Sequence, residues 1–208
     1  MICLTHSIDR PVLTGFFRLT KYFPVGRALD LGCSSGNYSP YLGPDVVGLD
    51  LDLAALRRAT GRNIQAIRSD ANQPLPFKDG AFGFVFCSHL IEHVESPIHL
   101  LKEVHRVLKD GGLLILGFPI EAAIVRSFGD HYFDDHQGHL YSFSPSGIRK
   151  LLARTQFSVI RILVEPPLTT RFPRLRVLNN AVGYLPLSLA WRLSTATWVV
   201  AQRVGWGP

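Results

Sequence analysis

Cysteine is scarce in this sequence, and acid is scarce in its last third. Cys3, Cys33 and Cys87 are the only cysteines among 208 residues. They are scattered, odd in number and without metal-like spacing. That excludes a disulfide framework and points to a reducing compartment. No run of 18 apolar residues occurs, so no membrane-spanning helix is expected. The opening MICLTHSIDR lacks a long apolar core and carries Asp9, so it does not read as a secretory signal and a cytoplasmic location is expected. Internal repeats and low-complexity linkers are also lacking. Residues 141–208 hold nine Lys and Arg but a single acid, Glu165, whereas residues 1–140 hold 13 Lys and Arg against 15 acids. The net charge of +6 therefore belongs to the C-terminal third. A basic face attracts nucleic acid, anionic lipid or an acidic small molecule, or is simply well solvated. Nucleic acid is the least favoured of these, because no RNA-binding signature and no basic run interleaved with stacking aromatics is present.

What is present is a globular composition, 47% hydrophobic and 18% charged, in a chain long enough to bury a core. Residues 11–22 suit an opening helix. Short apolar runs then alternate with helical patterns. Strands are expected at 27–31, 45–49, 64–68, 82–87 and 113–118. A short helix should follow Gly36. Further helices are expected at 52–60, stopped by Gly61, and from the cap Ser96 with Pro97 to about Lys109, where Asp110-Gly111-Gly112 ends it. Ser144-Pro145 opens another helix, to about Arg154. Residues 158–164 and 196–203 look like two late strands, joined without a simple crossover, as in an antiparallel hairpin at a sheet edge. The alternation predicts an α/β fold, a mostly parallel sheet covered on both faces.

Residues 29–38, LDLGCSSGNY, hold two conflicting signals. A Gly turn after a strand suggests a nucleotide-type ligand beyond the strand's carboxyl end. Gly32-Cys33-Ser34-Ser35-Gly36 also matches G-x-S-x-G, the turn that carries a nucleophilic serine in hydrolases. Position decides between them. Only one strand precedes Ser34, and no oxyanion-hole segment does; Asp130 and His139 complete no triad by spacing. Gly32 allows a tight turn, and Gly36 lets the next helix start without a clash. Ser34 replaces the middle glycine of G-x-G-x-x-G, which argues against a pyrophosphate and so against NAD or FAD. Asp50 closes strand two, twenty residues after Asp30, where a carboxylate accepts from ribose hydroxyls. Asp52 is the better helix cap, which frees Asp50 for a ligand. Asp70-Ala71 follows strand three, where a carboxylate can accept from an adenine amino group.

With these residues in hand, the chain resembles the class I S-adenosylmethionine-dependent methyltransferases, and most closely their type 11 branch. The matching pieces are ALDLGCSSGNY, VVGLDLD, RSDANQPLPFKDGAFGFVFCSHLIEHV and LKEVHRVLKDGGLLILGFP, in the family's order over roughly residues 26–119. The resemblance implies a Rossmann-like seven-stranded sheet with its last strand antiparallel, and S-adenosyl-L-methionine as cofactor. It implies that Asp30, Gly32, Cys33, Ser34 and Gly36 shape the pocket for the methionine part. Asp50 would bind the ribose hydroxyls and Leu51 would pack on adenine. Asp70 and the backbone of Ala71 would read the adenine edge. Cys87 and Ser88 would line the site near the sulfonium. Ser34 departs from the family's usual glycine.

Three further stretches carry weaker signals. His89-Leu90-Ile91-Glu92-His93 matches H-x-x-E-H, a zinc-peptidase pattern that needs both histidines on one helical face. It follows a buried strand and coincides with the family motif, so no metal is expected. His89 faces cofactor or acceptor in this reading, and His93 lies on the acceptor side. The dense polar run 130–139 follows strand five and is read as part of an acceptor-site loop over 120–143, with His136, His139 and Tyr141 near the chemistry. Residues 165–194 form an insertion between the last two strands. Within it, 172–193 mix Arg with large apolar residues, which suits packing over the sheet edge or contact with a membrane or lipid-like acceptor. The expectation is one methyltransferase domain over 1–208, acting on a small-molecule or lipid-like acceptor. The alternatives are an S-adenosylmethionine-binding or partner protein without catalysis, and a serine hydrolase using Ser34.

Overall fold

The computed structural model describes residues 19–23, 26–62, 64–120, 138–165, 185–194 and 196–205. Seven strands form one sheet: β1 (Ala28–Leu31), β2 (Val46–Asp50), β3 (Gln65–Arg68), β4 (Phe82–Ser88), β5 (Leu108–Pro119), β6 (Phe157–Glu165) and β7 (Ala196–Arg203). Their spatial order is β3-β2-β1-β4-β5-β7-β6. The pairings from β3 to β5 are parallel, so these five strands point their carboxyl ends to one edge. β7 runs antiparallel to both β5 and β6. The late pair does form an antiparallel ladder. Its second strand, however, inserts beside β5 and leaves β6 at the edge.

Side-chain alternation divides the core into two layers. Leu29, Leu31, Val85 and Cys87 face one side with Leu114, Leu116 and Phe118. Two helices cover them, α2 (Pro97–Val107) through Leu100, Leu101, Val104 and Val107, and α3 (Pro145–Arg154) through Ile148 and Leu152. Ala28, Phe84, Phe86, Ile115, Trp198 and Val200 face the other side, under Leu19 and Leu42. The indole of Trp198 stacks on Phe86 at 5.5 Å between ring centroids. Gly117 is what admits it, since a Cβ there would lie 2.4 Å from the indole.

The helices begin where the sequence caps them. Asp52 Oδ1 accepts from Ala54 N at 2.8 Å at the head of α1 (Leu53–Thr60). Ser96 Oγ accepts from His99 N, and Ser144 Oγ from Gly147 N. Each cap meets amides that have no partner within the helix. A fourth helix, α4 (Leu187–Arg192), lies in the predicted insertion. Two expectations change. Asp110-Gly111-Gly112 does not end α2, which stops at Val107; Leu108 is already extended and pairs with Phe82. The register shifts between Phe82 and Phe84, and Gly111 sits at φ 72°, so the glycines serve an irregularity in the β4–β5 ladder. After Gly36 only a 3-10 turn forms, Ser39–Tyr41. Of the expected opening helix, only Leu19 and the turn Thr20–Tyr22 belong to the described residues.

Candidate functional site

The Gly turn leaves β1 at the shared carboxyl edge and is pinned to β2. Gly32 N and Cys33 N both donate to Leu49 O, at 2.8 and 3.0 Å. Ser34 N donates to Asp50 Oδ2 at 2.8 Å, and Asp52 N donates to Asp50 Oδ1 at 2.9 Å. Asp52 is indeed the cap of α1, as its position suggested. Asp50 is not left idle by that. Each of its oxygens takes one backbone N–H and keeps lone pairs for a ligand. Leu51, the next residue, is 53% exposed, an apolar side chain presented beside that carboxylate.

The two glycines have different reasons. Gly32 stands at φ 76°, and a Cβ there would touch Leu90 at 3.2 Å. Gly36 stands at φ 73°, and a Cβ there would sit 2.5 Å from Ile64 Cδ1 and 3.2 Å from Ala59 Cβ. The neighbour that requires Gly36 is therefore the end of the α1–β3 unit, not a following helix. Ser34 also lies at positive φ, 48°, where a side chain is strained. That is the backbone reason a glycine would suit this position.

Burial separates the remaining cofactor-side residues. Asp30 is 2% exposed and accepts a short hydrogen bond from Ser39 Oγ. Burial raises its pKa to about 7, Ser39 opposes the rise, and the nearby Asp50 charge adds to it. Cys33 and Cys87 are both buried, which pushes their thiols far up. The Cys33 side chain packs under Gly48, and Cys87 belongs to the core. Cys87 thus offers the edge its backbone only, while the half-buried Ser88 ends the strand. Asp70 is half-buried and accepts from Asn72 N at 2.9 Å, and Ala71 is buried beside it.

The acceptor-side candidates gather after β4. His89 is exposed, stands at φ 52°, and brings Nδ1 to 3.3 Å from Glu92 Oε1. Strain of this kind gathers at functional sites. Glu92 is fully buried, which nothing in its spacing signals. Its backbone carbonyl accepts from Leu140 N and Tyr141 N at 2.7 and 3.2 Å. Tyr141 Oη donates to Glu95 O at 2.7 Å. This clip sets His139 against His93, with ring centroids 4.8 Å apart. His136 and Asp130 lie outside the described residues, as do most of 120–143 and of 165–194. Ser39, the Asp30 partner, was also missed; a buried acid beside a turn is the signal to look for one.

Residues 29–116 match the family model described as "Methyltransferase domain", of type 11. An uncharacterised protein of Methanocaldococcus jannaschii is 32% identical over 99 residues, 48% of this chain and 47% of its own length. A demethylmenaquinone methyltransferase of Staphylococcus aureus is 32% identical over 100 residues, 43% of this chain and 41% of its own length. The chain thus spans less than half the length of these curated relatives. In fold, it is similar to an S-adenosylmethionine-dependent methyltransferase from Mesorhizobium loti, at TM-score 0.70 and 20% identity, over 94% of this chain and 99% of that one. The seven-stranded Rossmann-like sheet is the methyltransferase fold. The family segment runs from the middle of β1 into β5, and so contains the Gly turn, Asp50, Asp70 and the residues after β4.

Proposed function

We propose that the protein is an S-adenosylmethionine-dependent methyltransferase. The observation that carries this is the arrangement of Asp50. Its carboxylate is half-buried at the end of β2, locked to the Gly turn through Ser34 N, and followed by the exposed Leu51. The residues fit the group: a fixed carboxylate with spare lone pairs suits vicinal hydroxyls, and the exposed apolar side chain suits a base. The close turn at Gly32 and Gly36 brings backbone near a ligand, with no third glycine for a pyrophosphate. Asp30, Cys33 and Ser34 shape this end. Asp70, with Ala71, is assigned to the far end of the ligand, and Ser88, with the Cys87 backbone, to the middle.

When bound, the cofactor supplies a methyl group on a sulfonium, already activated for transfer. What remains for the chain is to hold the acceptor in line and to manage its proton. His89 is the candidate base. Its Nδ1 lies 3.3 Å from the buried Glu92 Oε1, and its ring is exposed at the edge where an acceptor would sit. His93, His136, His139 and Tyr141 are assigned to the acceptor side, with His139 the second candidate for the proton. A demethylmenaquinone methyltransferase among the relatives supports a small-molecule or lipid-like acceptor. The basic, apolar region 165–194 would serve peripheral contact with anionic lipid. Among the described residues no helix is long and apolar enough to cross a membrane.

The test is turnover. The protein is incubated with S-adenosylmethionine and a lipid extract or a soluble cell extract, and S-adenosylhomocysteine is measured by mass spectrometry. Product above the protein-free rate supports the reading. Which extract carries the new methyl group separates lipid-like from soluble acceptors. No product from either, with cofactor bound, favours the non-catalytic alternative.

A further inference from the structure

Glu92, His93 and His139 each bring a ligand atom to a cluster in which all such atoms lie within 4.8 Å of one another. We propose that this trio is a binding site for a divalent transition cation of the zinc class. It is not the pair that H-x-x-E-H suggests. The pattern's first histidine, His89, is outside the trio, and the third ligand arrives from 46 residues downstream of His93, at the end of the dense polar run. The trio shares His93 and His139 with the acceptor side assigned above, but its test needs no methyl-transfer activity.

Three observations carry it. First, Glu92 is 0% exposed, yet among the described residues neither carboxylate oxygen has a hydrogen-bond partner. His89 Nδ1 approaches Oε1 at 3.3 Å, as an ion pair if protonated, without hydrogen-bond geometry. A buried carboxylate calls for compensation by charge or hydrogen bonds, and a cation at the trio would supply it. Second, His93 Nδ1 lies 3.2 Å from Gly138 O. That contact selects the tautomer with its proton on Nδ1, and so leaves Nε2 as the lone-pair nitrogen. A backbone carbonyl on one ring nitrogen is the usual support of a metal-bound histidine on the other. Third, Leu140 N and Tyr141 N both donate to Glu92 O, which fixes the ligand-bearing chain without using a ligand atom. Tetrahedral ligands at about 2.1 Å from zinc are roughly 3.4 Å apart, so side-chain rotation has a short way to go from the present spacing.

Two imidazoles and one carboxylate suit zinc, or cobalt in its place, and do not suit magnesium. Such a three-ligand set keeps one position open. His93 is exposed and His139 half-buried, so the cluster is reached from solvent.

The test uses the whole chain, stripped with chelator and titrated with Co²⁺ followed by visible ligand-field absorption, with Zn²⁺ and Mg²⁺ as competitors. The expected result is one equivalent bound, displaced by Zn²⁺ and not by equimolar Mg²⁺. His93→Ala and His139→Ala should each weaken binding at least ~100-fold, the upper end of what loss of an outer-shell partner costs. His89→Ala should stay within ~10-fold. Thermal melts check that each variant is folded. In the wild type Zn²⁺ should raise the melting temperature, and in His139→Ala it should not. No stoichiometric binding, equal displacement by Mg²⁺, or binding lost in His89→Ala but kept in His139→Ala would each overturn the proposal.

Discussion

Replacing Asp30 by asparagine removes an acid that the fold holds in the wrong place for a charge. Asp30 is 2% exposed, and burial lifts its pKa from 3.8 to about 7. The folded state therefore keeps a proton that the unfolded chain has released. Between those two values the native protein binds more protons, so stability falls as pH rises. The contribution is fully present below the unfolded pKa and is gone once pH passes about 7. A shift from 3.8 to about 7 corresponds to about 4 kcal/mol, at ~1.4 kcal/mol per unit. The asparagine side chain would keep the shape and an acceptor for the Ser39 hydroxyl, but would not titrate. Urea unfolding of both proteins at intervals from pH 4 to pH 8 isolates the effect, because titrating groups that do not interact with Asp30 cancel in the difference. The stability of Asp30→Asn minus wild type should grow by about 4 kcal/mol across that window, in the variant's favour. Two curves that stay parallel within ~0.5 kcal/mol would refute the reasoning.

Further predictions concern the turn and the sheet. Gly36→Ala should destabilise by about 2–4 kcal/mol, since its Cβ would meet Ile64 at 2.5 Å at φ 73°; chemical denaturation reads this. Ser34→Gly should leave the protein as stable or up to ~1 kcal/mol more stable, because it relieves the positive φ of 48°. It should also leave any S-adenosylmethionine turnover in place. A fluorophosphonate that labels Ser34, with hydrolysis lost in Ser34→Gly, would point to the hydrolase instead. Trp198→Ala should cost about 3–5 kcal/mol by emptying the volume against Phe86 and Gly117, seen as a lowered melting temperature.

The parallel half of the fold was legible because its signals are local. Strand ends marked by Gly32, Asp50 and Asp70, and helices opened by Asp52, Ser96 and Ser144, all lie where period and capping place them. The place of β7 was not legible. Which side of β6 it joins depends on packing of Trp198 against Gly117, a contact across 81 positions that no local pattern carries. Asp110-Gly111-Gly112 misled because a helix stop and a strand irregularity both use a glycine at positive φ, here Gly111. Around the site, residue types were readable and burial was not. H-x-x-E-H suggested His89 with His93, whereas the clip from Glu92 O to Leu140 and Tyr141 brings His139 instead. Hydrogen bonds between segments this far apart leave no trace in spacing.

Calorimetry with S-adenosylmethionine tests the central claim most directly. The account predicts one bound cofactor per chain, and Asp50→Ala weaker by at least ~10-fold, the smaller end of what one hydrogen bond to a charged group contributes. Asp50 also holds Ser34 N at 2.8 Å, so a melt of the variant must show that it remains folded at the temperature used. Absence of binding by the wild type, or a folded Asp50→Ala that binds as the wild type does, would contradict the account.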